Sequence, residues 1–283
     1  MILKTTRAQH INEIFLSEKI FVDAGDEANK IWTTSLHNKV RETIVSAYSR
    51  YGSNNKRKFN QELLHSLNDL DEFKENRIIF ELRRNYRKST KFLFTVANTY
   101  YAVKKRDLPK VGIITIYLNS TYPLNALSSS EHLEQSISSL SHIIYHEMTH
   151  RLQYEPLHKG SLFNSLWFVW RIKVLFHDKR GIWFVSKKNQ DINHMPYVEI
   201  SAYANETAHG ILNDPNSPVW KLEIIRYVLN QPPKIASLFI QTVYNLLTKS
   251  GMTYDEIRKV FGDIENFSHV PILKHFPKNT SRL

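Results

Sequence analysis

A short apolar strand followed by one long helix is the feature that most constrains the fold of this chain. Residues 111–118 (VGIITIYL) are apolar and rich in β-branched side chains, which favours a buried β-strand. Pro123 and the serines at 128–130 predict a loop and a helix start, and residues 130–154 then follow a helical pattern. This order indicates a fold that contains both a sheet and helices.

The rest of the chain is mainly helical, with two further strands before the strong one. Two apolar runs within 77–96, joined by a charged turn, predict that pair of strands. We also predict a short strand at 182–186 and helices at 8–18, 26–50, 59–70, 161–176, 196–212, 218–230, 233–249 and 253–261. Thr253 and Glu256 have the spacing of a capping box at the start of the last helix.

These elements predict a helix-rich α+β fold with a small mixed sheet. We expect three regions: an N-terminal helical region at 1–75, a central domain at 76–212 and a C-terminal helical region at 213–283. The length of 283 residues is enough to bury a sizeable core.

Composition narrows the chemistry that the chain can perform. There is no cysteine, which excludes disulfides, thiolate metal sites and a cysteine nucleophile, so any metal must be held by His, Asp or Glu. The 8 glycines form neither of the two standard nucleotide-binding loops.

The long predicted helix carries the motif His-Glu-x-x-His at residues 146–150. Residues four apart lie on one face of a helix, so the imidazoles of His146 and His150 can converge on one metal ion. Glu147 is adjacent to the first histidine and can accept a proton from a water that the metal activates. The alternative interpretation is an ordinary helix that happens to carry two histidines.

A catalytic metal needs a third protein ligand and an open position. The extended pattern HExxHxxGxxH is absent, because Gln153 and Pro156 occupy the glycine and final histidine positions. The best downstream candidate is Glu199, whose neighbours Ala202 and Ala204 are small enough for close helix packing. An ordinary first-turn glutamate is the alternative, and the competing third ligands are Asp191, His194 and Glu206.

An HExxH helix followed some tens of residues later by a helix-borne glutamate resembles the gluzincin branch of the zincin metallopeptidases. The segments 146–153 and 199–204 are similar to those of small peptidase-like proteins of bacteria and phages, and the resemblance covers about residues 111–210. It implies a zincin-like fold with the sheet next to the HExxH helix. It also implies a Zn²⁺ ion held by His146, His150 and Glu199, a general base at Glu147, and hydrolysis of peptide or protein substrates.

The resemblance has a departure four residues after the third ligand. Thermolysin-like members carry an aspartate there, whereas this chain has Tyr203. Tyr203 and His209 are candidates for stabilising the oxyanion that peptide hydrolysis develops, together with Tyr197. For each of them the alternative is plain packing or surface placement.

The net charge of +11 is concentrated in one segment. Residues 77–110 hold ten basic and two acidic side chains, interleaved with aromatic residues. If this basic segment binds a partner, the partner should be anionic, such as an acidic peptide, and a nucleic acid is a less favoured alternative. The simpler interpretation, which we prefer, is a strand face exposed to solvent. The aromatic residues at 167–184 predict a core helix, or else the wall of a specificity pocket.

We expect no signal peptide, because Met1–Lys4 leads into no apolar core, and no transmembrane segment. The predicted location is cytoplasmic or virion-associated. The leading prediction is therefore a zinc-dependent peptidase. A zincin-like structural or interaction part of a larger assembly, for example a phage particle, is the second hypothesis, and a basic nucleic-acid-associated protein is the third.

Overall fold

The computed structural model describes residues 23–52, 54–83, 93–100, 112–158, 197–213 and 218–277. The predicted helices at 8–18 and 161–176, the predicted strand at 182–186 and the aromatic residues at 167–184 lie outside these ranges. Contacts divide the chain into two compact units. One is Ala24–Arg151, and the other consists of the described residues of Met1–Asp23 and Leu152–Leu283. The predicted division at residues 75 and 212 stays a prediction.

The unit Ala24–Arg151 begins with four helices: α1 (Gly25–Ile31), α2 (Thr34–Tyr51), α3 (Lys56–Asp69) and α4 (Asp71–Glu75). We expected one helix over 26–50, and this was wrong because Thr33 interrupts it. Its backbone is extended and its hydroxyl accepts a hydrogen bond from the Leu36 amide, so Thr33 caps a new helix. Helix α2 then buries a stripe at helical spacing, formed by Leu36, Val40, Ile44 and Ala47.

Helix α3 packs on α2 and buries Phe59, Leu63 and Leu67. It is also tied to the first strand by Asn68. The Asn68 amide nitrogen donates to the Phe80 carbonyl at 3.0 Å, and the Phe80 amide donates to the Asn68 side-chain oxygen at 2.8 Å. One side chain therefore satisfies both backbone groups of Phe80.

The sheet has three strands: β1 (Ile78–Arg83), β2 (Phe94–Tyr100) and β3 (Ile113–Asn119). The strand order is β1-β3-β2, with β1 parallel and β2 antiparallel to β3. The central strand β3 is buried at most positions, as its apolar sequence predicted. The three strands predicted within 77–118 and the small mixed sheet are confirmed, and the fold is helix-rich α+β. The zincin-like fold stays a prediction.

A 3₁₀ helix (Leu124–Ser128) leads from β3 into the longest helix, α5 (Ser130–His158), which carries the HExxH motif. Helices α6 (Tyr197–Asn213), α7 (Pro218–Asn230), α8 (Pro233–Lys249) and α9 (Tyr254–Ser268) follow, with a 3₁₀ turn at Leu273–His275. The helices predicted at 59–70, 130–154, 196–212, 218–230, 233–249 and 253–261 are all present. Most ends are shifted by at most four residues, but the last helix continues to Ser268, seven residues beyond the predicted end.

The second unit has its own apolar core. Helix α6 packs against α7 and α8 and contributes Ile200, Ala204, Ala208 and Ile211 to this core. Helix α9 starts with the predicted capping box: the Thr253 amide donates to the Glu256 carboxylate at 2.8 Å, and the Glu256 amide donates to the Thr253 hydroxyl at 3.3 Å. The Glu256 carboxylate accepts hydrogen bonds from the Thr253 amide and hydroxyl, and these two bonds lower its pKa.

Candidate metal centre

The two histidines of the HExxH motif converge on helix α5. Their Nε2 atoms are 3.1 Å apart, and their ring planes meet at 80°. A tetrahedral zinc ion with Zn–N bonds of about 2.05 Å holds two ligand nitrogens about 3.3 Å apart. The separation of the two nitrogens in the structure is close to that value. Two nitrogen lone pairs at this distance need a proton or a cation between them.

Glu199 completes a group of three. The ligand-type atoms of His146, His150 and Glu199 all lie within 4.8 Å of one another. His150 is buried, whereas His146 and Glu199 are half-buried. Within the described ranges, these three residues form the group of histidines and carboxylates whose ligand atoms lie close enough together to share one metal ion. The structure brings the three residues together, and their role as ligands stays a prediction.

The donor set suits zinc chemically. Two imidazole nitrogens and one carboxylate oxygen are ligands that catalytic zinc takes, and three protein ligands leave one coordination position open. The separation of the two imidazole nitrogens is close to the tetrahedral spacing, so these two histidines fit the ion, and the Glu199 carboxylate supplies a third donor of a suitable type.

Glu147 lies beside this group on the same helix. Its side chain is buried, with 6% of its surface exposed. With about 100° of rotation per residue, its position is about 80° around the helix from the mean direction of the two histidines. The carboxylate is therefore carried next to the ligands without lying on their face.

Tyr203 lies one helical turn after Glu199 on α6, so both occupy one face of that helix. Burial raises the pKa of the Tyr203 phenol, and the carboxylates of Glu206, Glu199 and Glu223 raise it further. A phenol is protonated at neutral pH even without this shift, so Tyr203 can donate a hydrogen bond there, and the raised pKa extends the protonated range to higher pH. Its ring packs against Tyr227, with centroids 5.5 Å apart.

His209 is buried near the end of helix α6. Its Nδ1 lies 2.5 Å from the side-chain nitrogen of Asn213, which also donates to the His209 carbonyl at 3.0 Å. The group that could hold a metal does not include His209. The contacts with Asn213 account for a packing role, and a catalytic role for His209 stays a prediction.

The other predicted site residues are distributed as follows. Glu206 is half-buried on α6, and it is not a member of the three-residue group. Asp191 and His194 lie outside the described residues, as do most of the basic residues of 77–110, and the side chain of Tyr197 is not described.

Sequence reasoning missed the two side chains that flank the motif. Tyr145 precedes the first histidine and hydrogen-bonds the side-chain oxygen of Asn29. Arg151 follows the second histidine and donates from Nη1 to the Asn76 carbonyl at 2.7 Å. In the sequence, only their positions next to the two histidines could have pointed to Tyr145 and Arg151. Their hydrogen-bond partners, Asn29 and Asn76, are distant in the sequence.

Along the described ranges, no helix combines the length and hydrophobicity that crossing a bilayer requires. Comparisons of the chain with models of protein families, with curated proteins and with solved structures yield no match.

Proposed function

We propose that this chain is a zinc-dependent peptidase of the gluzincin type, in which His146, His150 and Glu199 hold the metal. The observation that carries the proposal is the 3.1 Å separation of the two histidine Nε2 atoms, with the Glu199 carboxylate in the same group. A carboxylate next to the ligands and a protonated phenol one turn from Glu199 support it.

A zinc ion bound by these residues supplies a Lewis acid that polarises the scissile carbonyl and lowers the pKa of a water molecule. Glu147 is the general base of the proposal. Its carboxylate accepts the proton of the attacking water, holds it at a carboxylate oxygen, and delivers it to the leaving nitrogen of the substrate. Burial of Glu147 keeps this proton away from bulk solvent.

Tyr203 is the proposed donor toward the oxygen that gains negative charge. It lies on the same face of α6 as Glu199, and its phenol, like that of an ordinary tyrosine, is protonated over the physiological pH range. A neutral donor that is already oriented stabilises developing charge without a reorganisation cost.

Metal content and hydrolysis test the proposal together. We expect the wild-type chain to bind about one zinc ion, measured by elemental analysis after dialysis. His146→Ala and His150→Ala should lose the ion. His132→Ala is the matched control, because His132 is an exposed histidine on the same helix and should keep the full zinc content.

Glu147→Gln separates binding from catalysis. The variant should keep zinc and lose hydrolysis of a peptide library, because the amide cannot accept the proton. A wild-type chain that takes up no zinc contradicts the proposed site. Full hydrolysis by Glu147→Gln contradicts the proposed base. If the biological role survives in the Glu147→Gln variant while hydrolysis is lost, the structural-component hypothesis replaces the peptidase.

A further inference from the structure

The rotation of helix α5 about its own axis controls the geometry of the proposed metal site. Side-chain tips stand about 6 Å from a helix axis, so a rotation of about 10° displaces the imidazole nitrogens by about 1 Å. Metal–ligand bonds tolerate only a few tenths of an ångström. Some feature of the unit Ala24–Arg151 must therefore hold the helix against rotation.

Tyr145 anchors one side of the helix. Its side chain is buried, and its hydroxyl makes a short hydrogen bond with the side-chain oxygen of Asn29 on α1. The Tyr145 carbonyl also accepts a hydrogen bond from the Thr149 hydroxyl at 2.9 Å, one turn further along the motif.

Arg151 anchors the opposite side. Its guanidinium donates to the Asn76 carbonyl at 2.7 Å, just before strand β1. A Cβ atom built on Gly112, just before strand β3, would lie 3.5 Å from Arg151 Nε. The side chain of Arg151 is thus bonded to the backbone just before β1 and lies close to Gly112, just before β3.

The segments just before β1 and β3 are held in place by hydrogen bonds of their own. The Asn76 side chain donates to the Glu72 carbonyl at 2.7 Å, and the Arg77 carbonyl accepts from the Ile114 amide at 3.0 Å. Arg77 has a φ of 53°, a left-handed conformation that the surrounding structure must impose on a residue with a Cβ atom, whereas Gly112 adopts its φ of 76° without strain. Arg151 is therefore bonded to a part of the sheet with a fixed conformation.

The two anchors are arranged symmetrically around the metal-facing direction. At about 100° per residue, Tyr145 and Arg151 each lie about 120° from the mean direction of His146 and His150, on opposite sides. A rotation of the helix in either sense displaces both side chains relative to the partners they bond, Asn29 and Asn76.

We propose that Arg151 and Tyr145 are positioning residues of the metal site, which hold the rotation of helix α5 by bonds to Asn76 and Asn29. The inference rests on the proposed function only in that the two histidines must bind a metal. It assigns to these residues a role that acts through the ligands and involves no contact with substrate.

Zinc affinity tests this role, measured by competition with a chromophoric chelator at a temperature well below unfolding. Loss of groups that orient metal ligands typically weakens metal affinity by about 10- to 100-fold. We expect a loss in this range for Arg151→Met, a smaller loss for Arg151→Lys, and a loss of about 10-fold for Tyr145→Phe. The visible absorption of bound Co²⁺ should also change in shape, because it reports the coordination geometry.

Arg50→Met is the matched control. Arg50 belongs to the same unit and makes a bond of the same length, 2.7 Å to Glu62, away from the motif helix. It should change neither the zinc affinity nor the Co²⁺ spectrum. If Arg151→Met is too unstable to purify, Arg151→Lys and Tyr145→Phe decide the question by the same two measurements.

The possible failures are distinguishable. Absence of zinc binding by the wild-type chain contradicts the proposed function. Normal zinc binding by the wild type, with the same affinity and spectrum in the Arg151 and Tyr145 variants, overturns the positioning role and leaves the proposed function standing.

Discussion

At the scale of single residues, the environment of a side chain decides its protonation and therefore its chemistry. Tyr203 illustrates this, because burial and three neighbouring carboxylates raise the pKa of its phenol. The same phenol on an exposed helix would ionise above about pH 10. In its actual surroundings it remains a hydrogen-bond donor over a wider pH range.

Removing the Tyr203 hydroxyl should slow hydrolysis and leave the fold intact. Loss of an oxyanion donor typically costs about 100- to 1000-fold in kcat, and we expect Tyr203→Phe to approach this range with unchanged zinc content. The measurement is steady-state kinetics on a cleaved peptide. Tyr244→Phe, which removes a hydroxyl from helix α8, is the control, and equal rates for the two variants would remove Tyr203 from the mechanism.

His275 provides a prediction about pH and stability. It is buried, its Nδ1 lies 2.9 Å from the Ser237 hydroxyl, and burial followed by the charge of Lys274 lowers its pKa. Since the folded chain resists protonation of this imidazole, the unfolded chain binds more protons below pH 6.5. Its contribution to stability is thus present above the unfolded pKa and is lost as the pH falls toward the folded pKa.

Urea unfolding between pH 5 and pH 7.5 checks this expectation. The free energy of unfolding of the wild type should fall as the pH is lowered, and His275→Gln should reduce the slope of this decrease. His65→Gln is the control, because His65 is exposed. An unchanged slope in His275→Gln would show that other groups cause the acid sensitivity.

At the scale of elements, the outer edge of strand β1 depends on one side chain. Asn68 satisfies both backbone groups of the buried residue Phe80, on the strand that ends the described sheet order β1-β3-β2. A sheet edge closed in this way is also protected from pairing with another chain.

Asn68→Ala should destabilise the protein by about 1–3 kcal/mol, because it leaves a buried donor and acceptor without partners. Asn68→Asp should be intermediate, since it keeps an acceptor for the Phe80 amide. Chemical denaturation gives the free energies, and Asn38→Ala, at an exposed position on α2, should change them by less than about 0.5 kcal/mol. A loss of stability for Asn68→Ala as small as that of the control contradicts the role of Asn68.

The elements that sequence reasoning predicted well are those specified by local pattern. The strong strand, the helix that carries the motif and the capping box at Thr253 each depend on residues within a few positions of one another. The helix expected over 26–50 was wrong, because the extended backbone at Thr33 is a local choice that the apolar spacing does not reveal.

The candidate site was predictable in part for the same reason. His146, Glu147 and His150 form a local motif, and the small residues around Glu199 favoured its helix. The partners of Tyr145 and Arg151 were not predictable, because they are 116 and 75 residues away in the sequence. Only the folded chain shows that Asn29 and Asn76 meet the helix that carries the motif.

At the scale of the whole molecule, metal binding and folding must be coupled if the proposed site is real. A ligand that binds only the folded chain stabilises it by about 2.7 kcal/mol at a free concentration of 100 times its Kd. Zinc should therefore raise the unfolding temperature, and a chelator should lower it. Calorimetry with His132→Ala and His146→Ala checks this, since the first should keep the zinc effect and the second should lose it.

The order of the strands also has a consequence for how the chain is made. Strand β3 lies between β1 and β2, although both are synthesised before it. A ribosome that has completed β1 and β2 has therefore produced two strands whose shared partner does not yet exist. Because β1 and β2 each pair with β3 in the finished sheet, their native pairing can form only after residues 113–119 have been synthesised. The chain order thus delays assembly of this sheet until its last strand is available.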